Sequence, residues 1–155
     1  MIPVQRLNHA VLYVRDAARA ATFYQEAFGF EVVTETPGAA FLRASGSSNH
    51  HDLGLFSVGH DAPGPEQGRV GLYHLAWQVP NVEALATARD TLLRLAAYTG
   101  ESDHGATKSI YGKDPDGNEF EIMWLVPRDD WGEHERSAVV APLDLAREVA
   151  RFGSK

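Results

Sequence analysis

The stretch HGATKSIYGKDPDGNEFE, residues 104–121, decides the fold because it predicts two short strands joined by a tight turn. The turn is DPDG, residues 114–117, in which the proline presets φ and the glycine is free to adopt a positive φ. The second strand, residues 120–124, is apolar except for Glu121. A carboxylate among apolar side chains is costly unless a partner such as a metal ion pairs with it.

Two histidines in apolar stretches upstream are candidate partners for this carboxylate. His9 lies in the predicted strand Val4–Val14, and His74 lies in the predicted strand Val70–Val79. A single histidine in a strand is more often a hydrogen-bonded core residue than a ligand. Here, however, the two histidines occupy matching places in two similar segments. The sequence therefore predicts a metal site formed by His9, His74 and Glu121.

The chain around these residues repeats one pattern, strand–helix–strand–strand–strand. Module one spans about residues 4–58, a linker rich in Gly and Pro spans about 59–69, and module two spans about 70–126. A C-terminal extension, about residues 127–155, contains the amphipathic stretch PLDLAREVARF. The pattern predicts a single α+β domain of 155 residues built from two βαβββ modules.

Composition excludes several classes of function. The net charge of −7, without a cluster of Lys or Arg, argues against nucleic acid as a partner. The sequence contains no cysteine, so a metal would have to be held by nitrogen and oxygen donors. No apolar run approaches the roughly 20 residues of a membrane span, and no basic segment followed by an apolar one opens the chain. We therefore expect a cytoplasmic protein that does not bind membranes.

Paired modules with these residues resemble the vicinal oxygen chelate (glyoxalase/bleomycin resistance/dioxygenase) superfamily over about residues 4–126. Within that superfamily, the stretch around Tyr111 is most similar to the type I extradiol ring-cleavage dioxygenases, the catechol 2,3-dioxygenase-like enzymes. The Asp-Pro-Asp-Gly-Asn turn is widespread in the superfamily, and the His and Tyr ahead of it make the match specific. The residues that match the signature are His104, Ile110, Tyr111, Asp114, Pro115, Gly117 and Glu121.

The resemblance implies two modules that form an open barrel around one metal site, here in a single-domain form. It implies a Fe(II)-dependent dioxygenase, with Mn(II) as the alternative metal, that cleaves a catechol-type aromatic diol with O₂ at the extradiol (meta) position. Two histidines and one carboxylate suit this chemistry because three protein ligands on one face of the metal leave room for a bidentate diol and O₂.

The resemblance also implies roles for three further residues. His51 would be the acid–base catalyst, a role that suits an imidazole because it titrates near neutral pH. His104 would donate a hydrogen bond to a substrate oxygen, and Tyr111 would form a hydrogen bond with the deprotonated diol oxygen. The alternatives are ordinary ones: polar loop histidines at positions 51 and 104, and a structural strand tyrosine at position 111.

Two other activities fit the same fold. One is a glyoxalase-like isomerase or lyase using Ni²⁺ or Zn²⁺, in which relatives supply a fourth ligand, a carboxylate on the last strand of module one. The other is a metal-free, ligand-sequestering protein of the bleomycin-resistance type. In the predicted strand His51–Ser57, alternation places His51 with Leu53 and Leu55 on one face and Asp52 on the other. We therefore expect His51, Leu53 and Leu55, and not Asp52, to line the cavity.

The last expectation concerns assembly. The amphipathic C-terminal stretch is suited to cover either a partner chain or its own sheet, and small members of the superfamily commonly pair. We therefore expect a homodimer.

Overall fold

The structure is a computed structural model and describes residues 1–137 and 139–154. The chain divides into two compact units, residues 1–65 and 66–155. The boundary between them falls inside the segment rich in Gly and Pro at residues 59–69. No helix among the described residues is long and apolar enough to cross a membrane.

The first unit is a four-stranded sheet with one helix. Asp16 begins the helix by accepting a hydrogen bond from the Arg19 amide at 3.0 Å, and Gly29 ends it with a φ of +66°. The sheet order is β1-β4-β3-β2, with β1 parallel to β4 and the other pairs antiparallel. The elements are β1 (Ala10–Val14), α1 (Ala17–Phe28), β2 (Glu31–Thr36), β3 (Ala39–Arg43) and β4 (Leu53–Ser57).

The second unit repeats this topology, with sheet order β5-β8-β7-β6 and a parallel β5–β8 pair. Two 3-10 turns, Arg128–Asp130 and Gly132–Glu135, follow the sheet and precede a last helix. The predicted α+β class with two βαβββ modules is therefore confirmed. The elements are β5 (Leu75–Val79), α2 (Val82–Arg94), β6 (Tyr98–Asp103), β7 (Thr107–Lys113), β8 (Glu119–Leu125) and α3 (Leu145–Phe152).

The first strand of each unit is shorter than the sequence predicts. β1 begins at Ala10 and β5 at Leu75, rather than at positions 4 and 70. The apolar pattern continues upstream, but pairing does not, because β4 begins only at Leu53, the partner of Ala10. His9 and His74 consequently lie directly before the first residue of β1 and of β5, which are equivalent places in the repeat.

Each sheet has one face that forms the core beneath its helices. In the first unit this core face carries Leu12, Val14, Leu42, Leu53 and Leu55, all at least 93% buried. In the second unit it carries Ile110, Phe120, Ile122 and Trp124. We call the opposite face of each sheet its site face, because the predicted functional residues lie there.

The expectation that Leu53 and Leu55 line the cavity together with His51 is wrong. Both leucines are fully buried on the core face, whereas the His51 ring lies 5.1 Å from the ring of Phe41 on the site face. The alternation argument fails because β4 starts at Leu53, so the two-residue period does not extend back to His51.

The C-terminal helix packs on its own unit. The ring of Phe152 in α3 lies 5.2 Å from the ring of Trp124 in β8, and Leu145 is 98% buried. The amphipathic stretch therefore covers its own sheet and gives no argument for the homodimer expected from the sequence.

Candidate metal and substrate site

Two of the predicted metal ligands meet on the site face of the second unit. His74 Nε2 lies 2.9 Å from Glu121 Oε2, and both side chains are largely buried, at 23% and 13% exposed. The parallel pairing of β5 with β8 brings them together, since Ala76 pairs with Glu121 and His74 precedes it by one strand period. An imidazole nitrogen and a carboxylate oxygen that converge in this way are suitable donors for a divalent cation.

The other ring nitrogen of His74 supports the same assignment. His74 Nδ1 is buried and has no hydrogen-bond partner among the described residues. The carboxylate oxygen Oε1 of Glu119 lies 3.8 Å from it. Histidines that bind metal through one nitrogen usually donate the other N–H to an acceptor such as a carboxylate. The residues of the second unit therefore fit a metal held by His74 Nε2 and Glu121, with Glu119 next to His74 Nδ1.

Ser109 is a site residue that the sequence analysis missed. Its hydroxyl donates a hydrogen bond to Glu121 Oε1 at 2.5 Å, and the residue is completely buried. Tyr111 pairs with Glu121 across β7 and β8, and Ser109 lies one strand period before Tyr111. Ser109 and Tyr111 therefore lie on the same face of β7. Once the register of β7 and β8 is known, this identifies Ser109 as a neighbour of Glu121.

Tyr111 and His104 form a hydrogen-bonded pair beside these residues. The Tyr111 hydroxyl lies 2.8 Å from His104 Nε2, and the Tyr111 ring centroid lies 5.8 Å from that of His74. His104 Nδ1 lies 2.7 Å from the main-chain oxygen of Val139. Both ring nitrogens of His104 therefore have partners within the chain, and its predicted hydrogen bond to a substrate stays a prediction.

The environment of Tyr111 keeps its hydroxyl protonated. Burial raises the pKa of Tyr111 above its usual value of 10.0, and the negative charge of Glu121 raises it further. The phenol is accordingly neutral at pH 7. It is available at this site as a hydrogen-bond donor and acceptor rather than as an anion.

In the first unit, the predicted ligand His9 lies next to the predicted acid–base residue His51. Their ring centroids are 4.5 Å apart, and His51 also meets the edge of Phe41. The Nδ1 atom of His50 lies 3.0 Å from that of His51. Burial, followed by the nearby His9 and His50, lowers the pKa of His51 below 6.5. A neutral His51 is suited to act as a base at pH 7.

Asp52 faces away from this cluster of histidines and holds the preceding loop in place. Its carboxylate accepts hydrogen bonds from the Ala44 amide at 2.9 Å, the Ser47 hydroxyl at 2.7 Å and the Asn49 side-chain amide at 2.7 Å. Burial alone would raise the pKa of Asp52, but these three hydrogen bonds outweigh it and lower the pKa below 3.8. Asp52 therefore fixes the loop that leads to His50 and His51.

The repeat shows which residue of the first unit corresponds to Glu121. Glu121 pairs with Ala76, two residues after His74, and Gly54 pairs with Val11, two residues after His9. Gly54 is therefore the counterpart of Glu121. A β-carbon at Gly54 would lie 3.4 Å from Val11 Cγ2 and 3.6 Å from the Phe41 ring, so these apolar groups occupy the space beside it. The last strand of the first unit offers no carboxylate at this position.

The structure groups the predicted site residues by unit. His9 and His51 come together in the first unit, and His74, Glu121, Tyr111 and His104 come together in the second. Neither unit contains, among its described residues, a group of three or more His, Asp or Glu side chains placed to hold a metal. The three-ligand site that joins His9 to His74 and Glu121 stays a prediction.

Comparison with known proteins identifies the family. The profile of the Glyoxalase/Bleomycin resistance protein/Dioxygenase superfamily matches residues 6–122, about three quarters of the chain. The chain belongs to this superfamily, known from its shared chemistry as the vicinal oxygen chelate superfamily.

Curated relatives refine this picture. A catechol-2,3-dioxygenase of Bacillus subtilis is 30% identical over 129 residues, which are 81% of this chain and 43% of the relative. A biphenyl-2,3-diol 1,2-dioxygenase of Rhodococcus globerulus is 33% identical over 79% of this chain and 65% of its own length. The chain thus spans between about two fifths and two thirds of these relatives. Both relatives are named as dioxygenases.

Solved structures show the same fold. A glyoxylase/bleomycin resistance protein/dioxygenase domain from Frankia sp. EAN1pec matches with a TM-score of 0.65 at 19% identity, covering 79% of this chain and 99% of that one. The fosfomycin resistance protein FosX from Listeria monocytogenes, solved with Mn(II) and sulfate, matches with a TM-score of 0.63 at 20% identity, covering 86% and 99%. At these identities the likeness establishes the fold.

Ser109→Ala should weaken metal binding. The substitution removes the donor to Glu121 Oε1 and leaves the carboxylate without its orienting partner, a kind of change that costs about 10- to 100-fold in metal affinity. Anaerobic titration calorimetry with Fe(II) or Mn(II) measures the effect. The exposed Ser45→Ala is the matched control and should bind as the parent does. Equal affinities for Ser109→Ala and the parent would remove Ser109 from the site.

Asp52→Ala should lower the free energy of unfolding at pH 7 by about 1–3 kcal/mol, because three partly buried donors lose their acceptor. The folded pKa of Asp52 is depressed, so its stabilisation is present above pH 3.8 and is lost as the pH falls through the lower folded value. Urea unfolding at pH 7 and at about pH 3 should therefore show a smaller difference from the parent at the acidic pH. The exposed Asp61→Ala should show no difference at pH 7, and an equally small effect of Asp52→Ala would contradict the assigned role.

Proposed function

We propose that this protein is a Fe(II)-dependent extradiol dioxygenase that cleaves the ring of a catechol-type aromatic diol with O₂. The family membership, the relatives named as diol dioxygenases and the signature residues His104, Tyr111 and Glu121 support this assignment. Mn(II) is the alternative metal, and a relative from Geobacillus genomosp. 3, 27% identical, is named as manganese-dependent.

The proposed metal ligands are His9, His74 and Glu121. They would hold a metal that would supply a centre at which a diol and O₂ can bind and exchange electrons. Ser109 holds Glu121 by its hydrogen bond, and Glu119 lies beside His74 Nδ1. These contacts would orient the proposed ligands.

The observation that carries the proposal is Gly54. It is the repeat counterpart of Glu121, at a position where a glyoxalase-like site would need its fourth protein ligand, and it has no side chain. Asp52, the nearest carboxylate in the sequence, is committed to the loop at residues 44–49. A metal held by three protein ligands keeps the open positions that a diol and O₂ need, which favours the dioxygenase over the isomerase or lyase.

His51, Tyr111 and His104 are the proposed catalytic residues. His51 is held neutral by burial and by its histidine neighbours, which suits a base that takes a proton from the diol and returns one later in the reaction. Tyr111 remains a neutral phenol beside His74 and Glu121, placed to form a hydrogen bond with a diol oxygen. Val11 and Met123, on the two site faces, are the proposed apolar contacts for the aromatic ring.

Anaerobic reconstitution with Fe(II), followed by exposure to O₂ and a panel of catechols, tests this function. We expect a yellow ring-opened product from the parent. His74→Ala should lose both metal and activity, whereas His51→Ala should keep its iron and lose most of its activity, because His51 moves protons and holds no metal. Metal content and product absorbance are measured on the same samples. A metal-free parent protein that binds aromatic ligands without turnover would instead favour the ligand-sequestering alternative.

Gly54→Glu separates the dioxygenase from the glyoxalase-like alternative. A carboxylate introduced at the counterpart of Glu121 should occupy a position that the diol or O₂ needs, so the variant should retain metal and lose ring cleavage. Gly46→Glu, in a loop where a β-carbon meets nothing within 4 Å, is the control and should keep the parent activity. Thermal unfolding of both variants verifies that they are folded. Undiminished ring cleavage by a folded, metal-loaded Gly54→Glu protein would contradict the three-ligand arrangement.

A further inference from the structure

The C-terminal extension packs against the turn that carries His104. Ala141 exchanges two main-chain hydrogen bonds with Asp103, at 2.8 and 3.0 Å, and the main-chain oxygen of Val139 lies 2.7 Å from His104 Nδ1. The ring of His134 lies against Gly105, so closely that a β-carbon there would overlap it. Three consecutive residues, 103 to 105, are therefore each held by a different residue of the extension.

A cluster of buried charges fastens the same turn to α3. Lys108, only 6% exposed, donates hydrogen bonds to Asp103 Oδ1 at 2.5 Å and to the Gly105 main-chain oxygen at 3.1 Å. Its Nζ also lies 4.0 Å from Glu148 Oε2 in α3, a carboxylate that is 98% buried. Buried charges are costly unless they are paired, so this cluster is kept intact in the folded protein. The turn is thus held by the main chain of the extension and, through Lys108, by Glu148 of α3.

The contact with Val139 determines where the proton of His104 lies. A carbonyl oxygen can only accept a hydrogen bond, so His104 Nδ1 must carry a hydrogen to donate to Val139. A neutral imidazole has a single N–H, which leaves Nε2 as an acceptor. The hydrogen bond between His104 Nε2 and the Tyr111 oxygen, 2.8 Å long, therefore runs from the Tyr111 hydroxyl to His104.

We propose that the C-terminal extension acts as a positioning element that holds His104 in its Nδ1–H tautomer and so fixes the direction of the Tyr111–His104 hydrogen bond. Tyr111 then donates its one hydrogen to His104 Nε2.

The tautomer of His104 is measured directly by long-range ¹H–¹⁵N correlation on the full chain labelled with ¹⁵N-histidine, free of paramagnetic metal and at an alkaline pH where imidazoles are neutral. His104→Gln identifies the signals of His104 among the seven histidines. We expect the parent to show His104 with hydrogen on Nδ1. A parent signal with hydrogen on Nε2 would overturn the proposal. Because no diol is present, the result does not depend on whether the protein cleaves catechols.

Two variants show whether the extension or Tyr111 sets the tautomer. Tyr111→Phe should keep hydrogen on Nδ1, since the Val139 carbonyl remains, and a change to Nε2 would assign control to Tyr111 instead. Ala141→Pro removes the amide that donates to Asp103, loosens the extension and should give a mixture of tautomers. Val140→Ala alters a side chain that is 81% exposed and should match the parent. A folded Ala141→Pro protein with an unchanged single tautomer would also overturn the proposal; if this variant does not fold, the parent and Tyr111→Phe decide.

Discussion

The pairing of the Glu121 carboxylate is the constraint on which the site of the second unit depends. Glu121 lies on a strand whose other face is packed with Phe120 and Ile122, and only 13% of its side chain is exposed. One oxygen accepts the Ser109 hydroxyl and the other faces His74. A carboxylate in such a place needs partners for both oxygens, and Ser109 of β7 and His74, directly before β5, each supply one.

The internal repeat shows that the two units differ at one equivalent position. Both units place a histidine directly before their first strand, but the position that holds Glu121 in the second unit holds Gly54 in the first. The glycine leaves Val11 and Phe41 to fill the space with apolar groups. One copy of the repeat therefore carries a carboxylate at this position, and the other carries apolar groups beside a glycine.

The C-terminal extension also acts on the site of the second unit, through the turn that carries His104. Its main chain binds Asp103 and His104, and the buried pair of Lys108 and Glu148 fastens the turn to α3. A carbonyl oxygen can only accept a hydrogen bond, so the contact with the Val139 main chain sets the tautomer of His104. A substitution that changes only a side chain of the extension leaves this carbonyl in place. The chemistry of Tyr111 thus depends on residues that lie outside the repeated modules.

The sequence by itself determined the class of the fold and the repeat, and it predicted the candidate site residues. Alternating apolar residues and the DPDG turn are local signals, and local signals fix the order of strands and helices. The matching places of His9 and His74 and the acid in an apolar strand were visible for the same reason. The resemblance of the stretch at 104–121 to a known signature then pointed to the reaction.

Only the tertiary structure decided which residues meet. The strand register identified Ser109 as the partner of Glu121 and Gly54 as its counterpart, and it moved Leu53 and Leu55 from the expected cavity to the core. The sequence could not give these results because pairing depends on where the partner strand begins, and a shift of one residue exchanges the two faces. The contact between His104 and Val139 joins residues 35 positions apart, and Val139 contributes only its main-chain oxygen. The pattern of side chains along the sequence therefore does not predict it.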